Sequence, residues 1–215
     1  MDGTIFKEES QLRFLLWCSL RGIVSPWQAL QVAVRYGLYL CGLSRDARSL
    51  RRQGFRLFRG MTKTALDAFT KQFVAGFTAR IRPGVFPLIH RHREQGHKPV
   101  LLTSAADVLA EKVAGLLGIN HVIATALILK DGVYTGEIAE PSPWGAGKRI
   151  LAERHCQSAG IDPRHCYVYT DHISDLPLMK LVGKPIAVNP DRVLRRVAQE
   201  NKWKLVDLES AIKTG

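Results

Sequence analysis

The stretch 167–191, YVYTDHISDLPLMKLVGKPIAVNPD, limits what this chain can fold into more than any other. An apolar run breaks there into an acidic turn and resumes as a second apolar run. The first run, residues 166–170, is β-branched and aromatic, the composition of a strand buried in a parallel sheet. It stops at Asp171-His-Ile-Ser-Asp175, after which the pattern predicts a short helix over 176–181 and a strand over 185–188. Two carboxylates four residues apart thus stand at the carboxyl end of a strand, the edge where open α/β sheets bind ligands. Two oxygen donors in such a turn suit a hard cation such as Mg2+, which keeps part of its water shell and shares itself with a phosphate. The competing reading makes Asp171 a strand terminator and Asp175 the N-cap of the next helix.

From residue 98 onward strands and helices alternate, the pattern of a parallel sheet covered on both faces. A strand over 98–103 leads to a helix closed by Gly118, with Ser104 and Asp107 spaced as a capping pair. Thr103 and Ser104 then lie between strand and helix N-terminus, where hydroxyls and free N–H groups can hold an anion; simple capping is the alternative, favoured for Ser104. Residues 122–129 and 133–138 flank Lys130-Asp-Gly132, a hairpin signal. Trp144-Gly-Ala-Gly-Lys148 heads a helix reaching about residue 158. Its glycines suggest a close backbone approach, and Lys148 is either a point charge aimed at the same place or an exposed helix lysine. A last helix runs from 191 to about 201, and the tail around Trp203 folds back on the core.

Before residue 80 the chain reads as helical. Residues 12–43 are the most apolar, but Arg13, Arg21 and Arg35 cut them into pieces shorter than the ~18 residues a spanning helix needs. Two helices are expected there, broken at Gly22, the second opened by Ser25 and Pro26 and closed by Gly42. This hairpin either packs on the rest of the protein or touches lipid, and packing is favoured. Arg45, Arg48, Arg52, Arg56 and Arg59 step along one helix face, by default a solvated one, with attraction of phosphate or anionic lipid as the alternative. Leu66, Phe69, Phe73 and Phe77 form the apolar face of a helix over 62–80. The fold expected is therefore α/β, a Rossmann-like doubly wound parallel sheet with an all-helical cap: residues 1–9 and 81–215 as core, 10–80 as cap.

Thirty-one Lys and Arg against nineteen Asp and Glu give a net charge of +12, which favours anionic partners. Nucleic acid ranks low because no aromatic-basic interleaving accompanies the charge. The four cysteines at 18, 41, 156 and 166 show no paired or metal spacing, which points to a reducing compartment. With no signal-peptide pattern at the start, a cytoplasmic protein is expected, with the inner face of the membrane as alternative address.

Asp-Gly-Thr-Ile5, Leu-Leu-Thr103, Gly-Ala-Gly-Lys148 and Thr-Asp171-His-Ile-Ser-Asp175, in this order, resemble the four motifs of the haloacid dehalogenase superfamily. The helical insert and the closing Gly-Lys-Pro-Ile-Ala-Val-Asn-Pro-Asp191 resemble its phosphoserine-phosphatase-like branch. The resemblance implies a Mg2+-dependent phosphomonoester hydrolase working through an aspartyl-phosphate. Asp2 matches the acid/base carboxylate, Thr103 the hydroxyl on a phosphoryl oxygen, Lys148 the charge-offsetting ammonium, and Asp171 with Asp175 the carboxylates around the metal. Glu9, just inside the insert, and Ser104 are candidate substrate-binding groups; Glu9 is equally a helix-start cap. The implied substrate is a small phosphomonoester of an amino acid, a polyol, or a lipid head group presented at a membrane.

The family pattern is Asp-x-Asp-Gly-Thr, and Met1 occupies its x position. The nucleophilic Asp, and the central strand leading into it, would fall ahead of residue 1, so the expectation is a natural start upstream. The other reading is a catalytically dead relative that binds its ligand without turnover.

Overall fold

The computed structural model describes residues 1–40 and 47–209. The chain opens as a tight turn in which the Met1 carbonyl accepts from the N–H groups of Ile5 (2.7 Å) and Phe6 (3.1 Å), and Phe6 bridges to Ile81. Four helices follow: α1 (Ser10–Leu20), α2 (Pro26–Leu40), α3 (Ala47–Arg56) and α4 (Lys63–Phe77). Gly22, at φ +69°, supplies the left-handed residue between α1 and α2. Thr62 caps α4 by accepting from the Ala65 N–H (3.2 Å). The α4 face at helical spacing buries Leu66, Phe73 and Phe77. Phe14 of α1 packs against Phe73, with ring centroids 5.0 Å apart.

The arginine stripe does not form one helix face. Helix α3 stops at Arg56, and the next four residues turn so that Gly60, at φ +85°, donates to the Tyr134 carbonyl (2.9 Å). Arg59 therefore lies off the helix, and Arg52 pairs with Glu140 at 2.8 Å. Main-chain pairing with a later strand overrides the helical period. Arg45 and Gly42 lie outside the described residues.

Helix α5 (Val85–Glu94) leads into β1 (Val100–Ala106), and α6 (Asp107–Leu117) carries the chain to β2 (His121–Thr125), parallel to β1. Strand β1 runs past the expected end at Thr103, so Ser104 sits within it and caps nothing. Asp107 does the local work, with Oδ1 accepting from the Val108 N–H (2.8 Å) and Oδ2 from the Leu127 N–H (3.2 Å). That second bond explains why the predicted arm 122–129 splits. Its first half joins the parallel sheet, and only β3 (Leu127–Lys130) forms a hairpin with β4 (Val133–Ile138). The turn holds Asp131 at φ +53° and Gly132 at φ +78°, both positive as a tight two-residue hairpin turn needs.

After α7 (Ala146–Ala159) come β5 (Tyr167–Thr170), α8 (Leu176–Met179), β6 (Lys184–Val188), α9 (Arg192–Glu200) and β7 (Lys204–Val206). The three strands form a parallel sheet in the order β5-β6-β7, and the tail beyond Trp203 thus adds a strand. Asp191 caps α9, accepting from the Leu194 N–H at 2.7 Å. Strands β1 and β5 each keep one edge unpaired among the described residues. Both line a cavity of about 1000 Å3 that separates the two parallel sheets, and no described strand lies between them.

Candidate active site

The lining of that cavity includes the polar residues singled out above. Asp2, Glu9, Thr103, Ser104, Lys148, Asp171 and Asp175 all line it, though they come from the first turn, the start of α1, β1, α7 and the loop after β5. Strands β1 and β5 both line the cavity, with Thr103 and Ser104 in the second half of β1 and Asp171 directly after β5, so strand carboxyl ends supply part of the polar lining.

Asp171 follows the last residue of β5. Its backbone carbonyl accepts from the Asp191 N–H (2.8 Å) and its Oδ1 from the Thr4 hydroxyl (2.7 Å). Gly3 lies so close that a Cβ on it would stand 1.9 Å from Asp171 Oδ2, and its φ of +70° also favours glycine. The Gly3 carbonyl in turn accepts from Nε of the buried Arg82 (3.1 Å).

Asp175 precedes α8 but makes no capping bond. Its Oδ2 instead accepts from Lys148 Nζ and from the Thr170 hydroxyl, both at 2.6 Å. Burial pushes this carboxyl upward, but the Lys148 ammonium and the two donors outweigh burial and hold it below its usual range. Lys148 is thus no exposed helix lysine. A Cβ on Gly147 would lie 2.0 Å from the Ser142 carbonyl oxygen, so its close approach is to the chain itself, whereas Gly145 serves by its φ of +52°.

Asp2 is raised, chiefly by burial, against the opposing pull of the Met1 ammonium and Ser10; its Oδ1 is buried with no hydrogen-bond partner. Thr103, buried in β1, accepts the Ala105 N–H on its hydroxyl oxygen (3.2 Å), leaving its proton to a partner in the cavity. Ser104 shares the cavity wall, and its carbonyl accepts from Thr125 (2.9 Å). Glu9 occupies the N-cap position of α1 without a capping bond from its side chain.

No three His, Cys, Asp or Glu side chains among the described residues stand close enough to hold a metal by themselves. The donor set still suits Mg2+, which typically takes one or two carboxylates and completes its shell with water and phosphate oxygens. Lys148 beside Asp175 and Arg82 in the field of Asp171 set two cations against these carboxylates.

Sequence reasoning passed over Arg82 and quoted Thr170 within the acidic-turn motif without giving it a role. Arg82 carries no motif signal, because its carbonyl partner can be seen only in three dimensions. Thr4 and Asp191 stood inside quoted motifs without being singled out as partners of the acidic turn.

A family model described as haloacid dehalogenase-like hydrolase matches residues 1–180. The chain is 29% identical over 171 residues to a phosphoserine phosphatase of Mycobacterium tuberculosis, covering 79% of this chain and 56% of that one. It is 32% identical over 157 residues to a histidinol-phosphatase of Neisseria meningitidis, covering 69% of each. Across the mycobacterial relatives it matches, the chain spans 43% to 57% of their length. A crystal structure of a protein of unknown function from Bordetella pertussis superposes with a TM-score of 0.87 at 23% identity, over 97% of this chain and 96% of that one. A substrate-bound phosphoserine phosphatase gives 0.67 at 19% identity, over 98% and 90%. At these identities the structures speak for the fold alone. The chain belongs to the haloacid dehalogenase-like hydrolases.

Proposed function

We propose that the protein hydrolyses a small phosphomonoester, with Mg2+ held by Asp171 and by the remaining oxygen of Asp175. The observation carrying this reading is that Asp2, Thr103, Lys148, Asp171 and Asp175, far apart in the chain, line one cavity, with Lys148 bonded to Asp175. Bound there, the metal would offset negative charge on the phosphoryl oxygens. Lys148, fixed by Asp175, places a second positive charge beside the same oxygens, and the Thr103 hydroxyl donates to one of them. Asp2, raised by burial, holds the proton that the leaving alkoxide needs as its bond to phosphorus breaks. Once ionised, the same carboxylate takes a proton from the water that displaces the phosphate.

The attacking group in this scheme is a carboxylate two positions before Asp2, which the family pattern places ahead of Met1. Its oxygen bonds to phosphorus as the alcohol leaves, and water then breaks that acyl phosphate. Residues 10–80 act as a cap that excludes water, with Glu9 facing a cationic substrate group. Relatives named for phosphoserine and histidinol phosphate support an amino-acid-derived or polyol ester; the apolar first helices support a lipid head group.

An aryl phosphate assay with Mg2+ tests the reading on this chain and on a form carrying Asp ahead of Met1. Turnover is expected in the extended form, abolished by EDTA and by Asp171→Asn. An unchanged rate in Asp171→Asn removes that residue from the site. Absence of turnover in both forms, with phosphate-ester binding retained, makes the protein a binding protein.

A further inference from the structure

We propose that the outer face of the α1–α2 hairpin docks on an anionic lipid bilayer. The two helices turn one side inward, where Phe14, Leu15, Cys18 and Ala29 are buried and Leu12, Val32 and Tyr36 line the cavity. Their other side is apolar and uncovered. On α2, Trp27, Leu30 and Val34 follow helical spacing and are 66%, 52% and 54% exposed; on α1, Leu16 and Leu20 are 44% and 89% exposed. Leu20 and Trp27 flank the turn at the tip of the hairpin. Single exposed apolar residues are ordinary on a soluble protein, but a face of them at helical spacing is a contact surface.

Charge selects the occupant. The two helices and the turn between them, residues 10–40, carry Arg13, Arg21 and Arg35 and no lysine, Asp or Glu; Arg13 pairs with Glu8, just ahead of α1. A second copy would bring the same charge against this face and be repelled. A bilayer with acidic head groups offers both complements at once: hydrocarbon for Leu20, Trp27, Leu30 and Val34, and anions for Arg21 and the exposed Arg35 of the same hairpin. Arg21 is placed for such a role at the tip, its guanidinium 4.4 Å from the centre of the Trp17 ring. Among the described residues no helix is long and apolar enough to cross a membrane, so the contact is peripheral and lies in the interface. Bound this way, the hairpin would hold one wall of the catalytic cavity against the lipid surface.

The test is co-sedimentation of the whole chain with vesicles of phosphatidylcholine, with and without about a third phosphatidylglycerol. Binding is expected to the anionic vesicles alone and to weaken with added salt. The double variant Trp27→Ser/Leu30→Ser should lower the partition coefficient by about 100-fold, and Arg21→Gln by about fivefold. Because these side chains are exposed, circular dichroism of the variants should match the parent. Three results overturn the proposal: no sedimentation with anionic vesicles at low salt; equal sedimentation of the parent and the double variant, which leaves unspecific charge attraction alone; or a dimer in analytical ultracentrifugation that the double variant dissolves. Turnover plays no part in this readout, so failure here leaves the hydrolytic reading standing.

Discussion

Lys148 Nζ lies 2.6 Å from Asp175 Oδ2, with the two side chains only 12% and 5% exposed. The pair joins the first turn of α7 to the loop after β5. Removing one member leaves the other charge buried without its partner, the costly way to break such a contact. Lys148→Met should therefore lose about 3–5 kcal/mol in urea unfolding, and Lys148→Met/Asp175→Asn should recover much of it. A loss under about 1 kcal/mol for the single variant would put the pair among exposed ones.

The same pair fixes how the protein responds to acid. The Asp175 carboxyl sits below its usual 3.8 in the folded protein, so the folded state holds this proton more weakly than the unfolded chain. Its stabilising contribution is present above about pH 3.8 and is lost as pH falls through the lower folded value. Unfolding midpoints measured from pH 6 downward should show this loss, and Lys148→Met should show a smaller one.

Asp2 has the opposite sign. Burial raises it above 3.8, so its ionisation works against folding, and stability attributable to it falls as pH rises from about 3.8 to the folded value. Asp2→Asn should remove this slope and gain stability near neutral pH, while turnover in the extended form is lost. A variant no more stable than the parent at pH 7 contradicts the buried carboxylate.

Thr4 orients Asp171 through one charge-assisted bond of 2.7 Å. Thr4→Val keeps the shape and deletes the donor. A partner that aligns a metal-binding carboxylate is commonly worth 10- to 100-fold in metal affinity, and a fall of about that size is expected in the Mg2+ dependence of turnover. An unchanged Mg2+ midpoint would leave Thr4 with a packing role only.

Gly3 tests the crowding around Asp171. A methyl group there would stand 1.9 Å from Oδ2 on a backbone at φ +70°, so Gly3→Ala must move the carboxylate or the turn. Displacement of about 1 Å at such a site is worth about 100-fold in rate, and kcat/KM should drop by that order. Stability should fall by a further 1–2 kcal/mol or about that for the left-handed backbone.

Much of this arrangement could be read from residues alone, for identifiable reasons. The strand, acidic turn, helix and strand of 167–191 emerge within a residue or two of expectation because their apolar runs are short, β-rich and bounded by carboxylates or glycine. The distribution of strands between sheets is less legible. Residues 122–129 form one apolar run, and only the Asp107 bond to the Leu127 N–H, made across 20 residues, divides it between a parallel sheet and a hairpin. Strand β7 has three residues, too few to show alternation. The arginine period of 45–59 pointed to a continuous helix, but backbone pairing of Gly60 and Met61 with Tyr134 ends it. Arg82 could not have been found, since its partners are a carbonyl 79 residues away and the Glu209 carboxylate near the far end of the chain.

The pairing between residues 60–63 and strand β4 also limits movement. Gly60 donates to the Tyr134 carbonyl, Tyr134 to that of Met61, and Lys63 to that of Gly132, so the link from α3 into α4 is stitched to the hairpin by main chain rather than by replaceable side chains. That flank of the helical segment is pinned. Among the described residues α1 and α2 make no main-chain bond to that hairpin, so amide exchange should be slower at residues 60–63 than in the turn between α1 and α2.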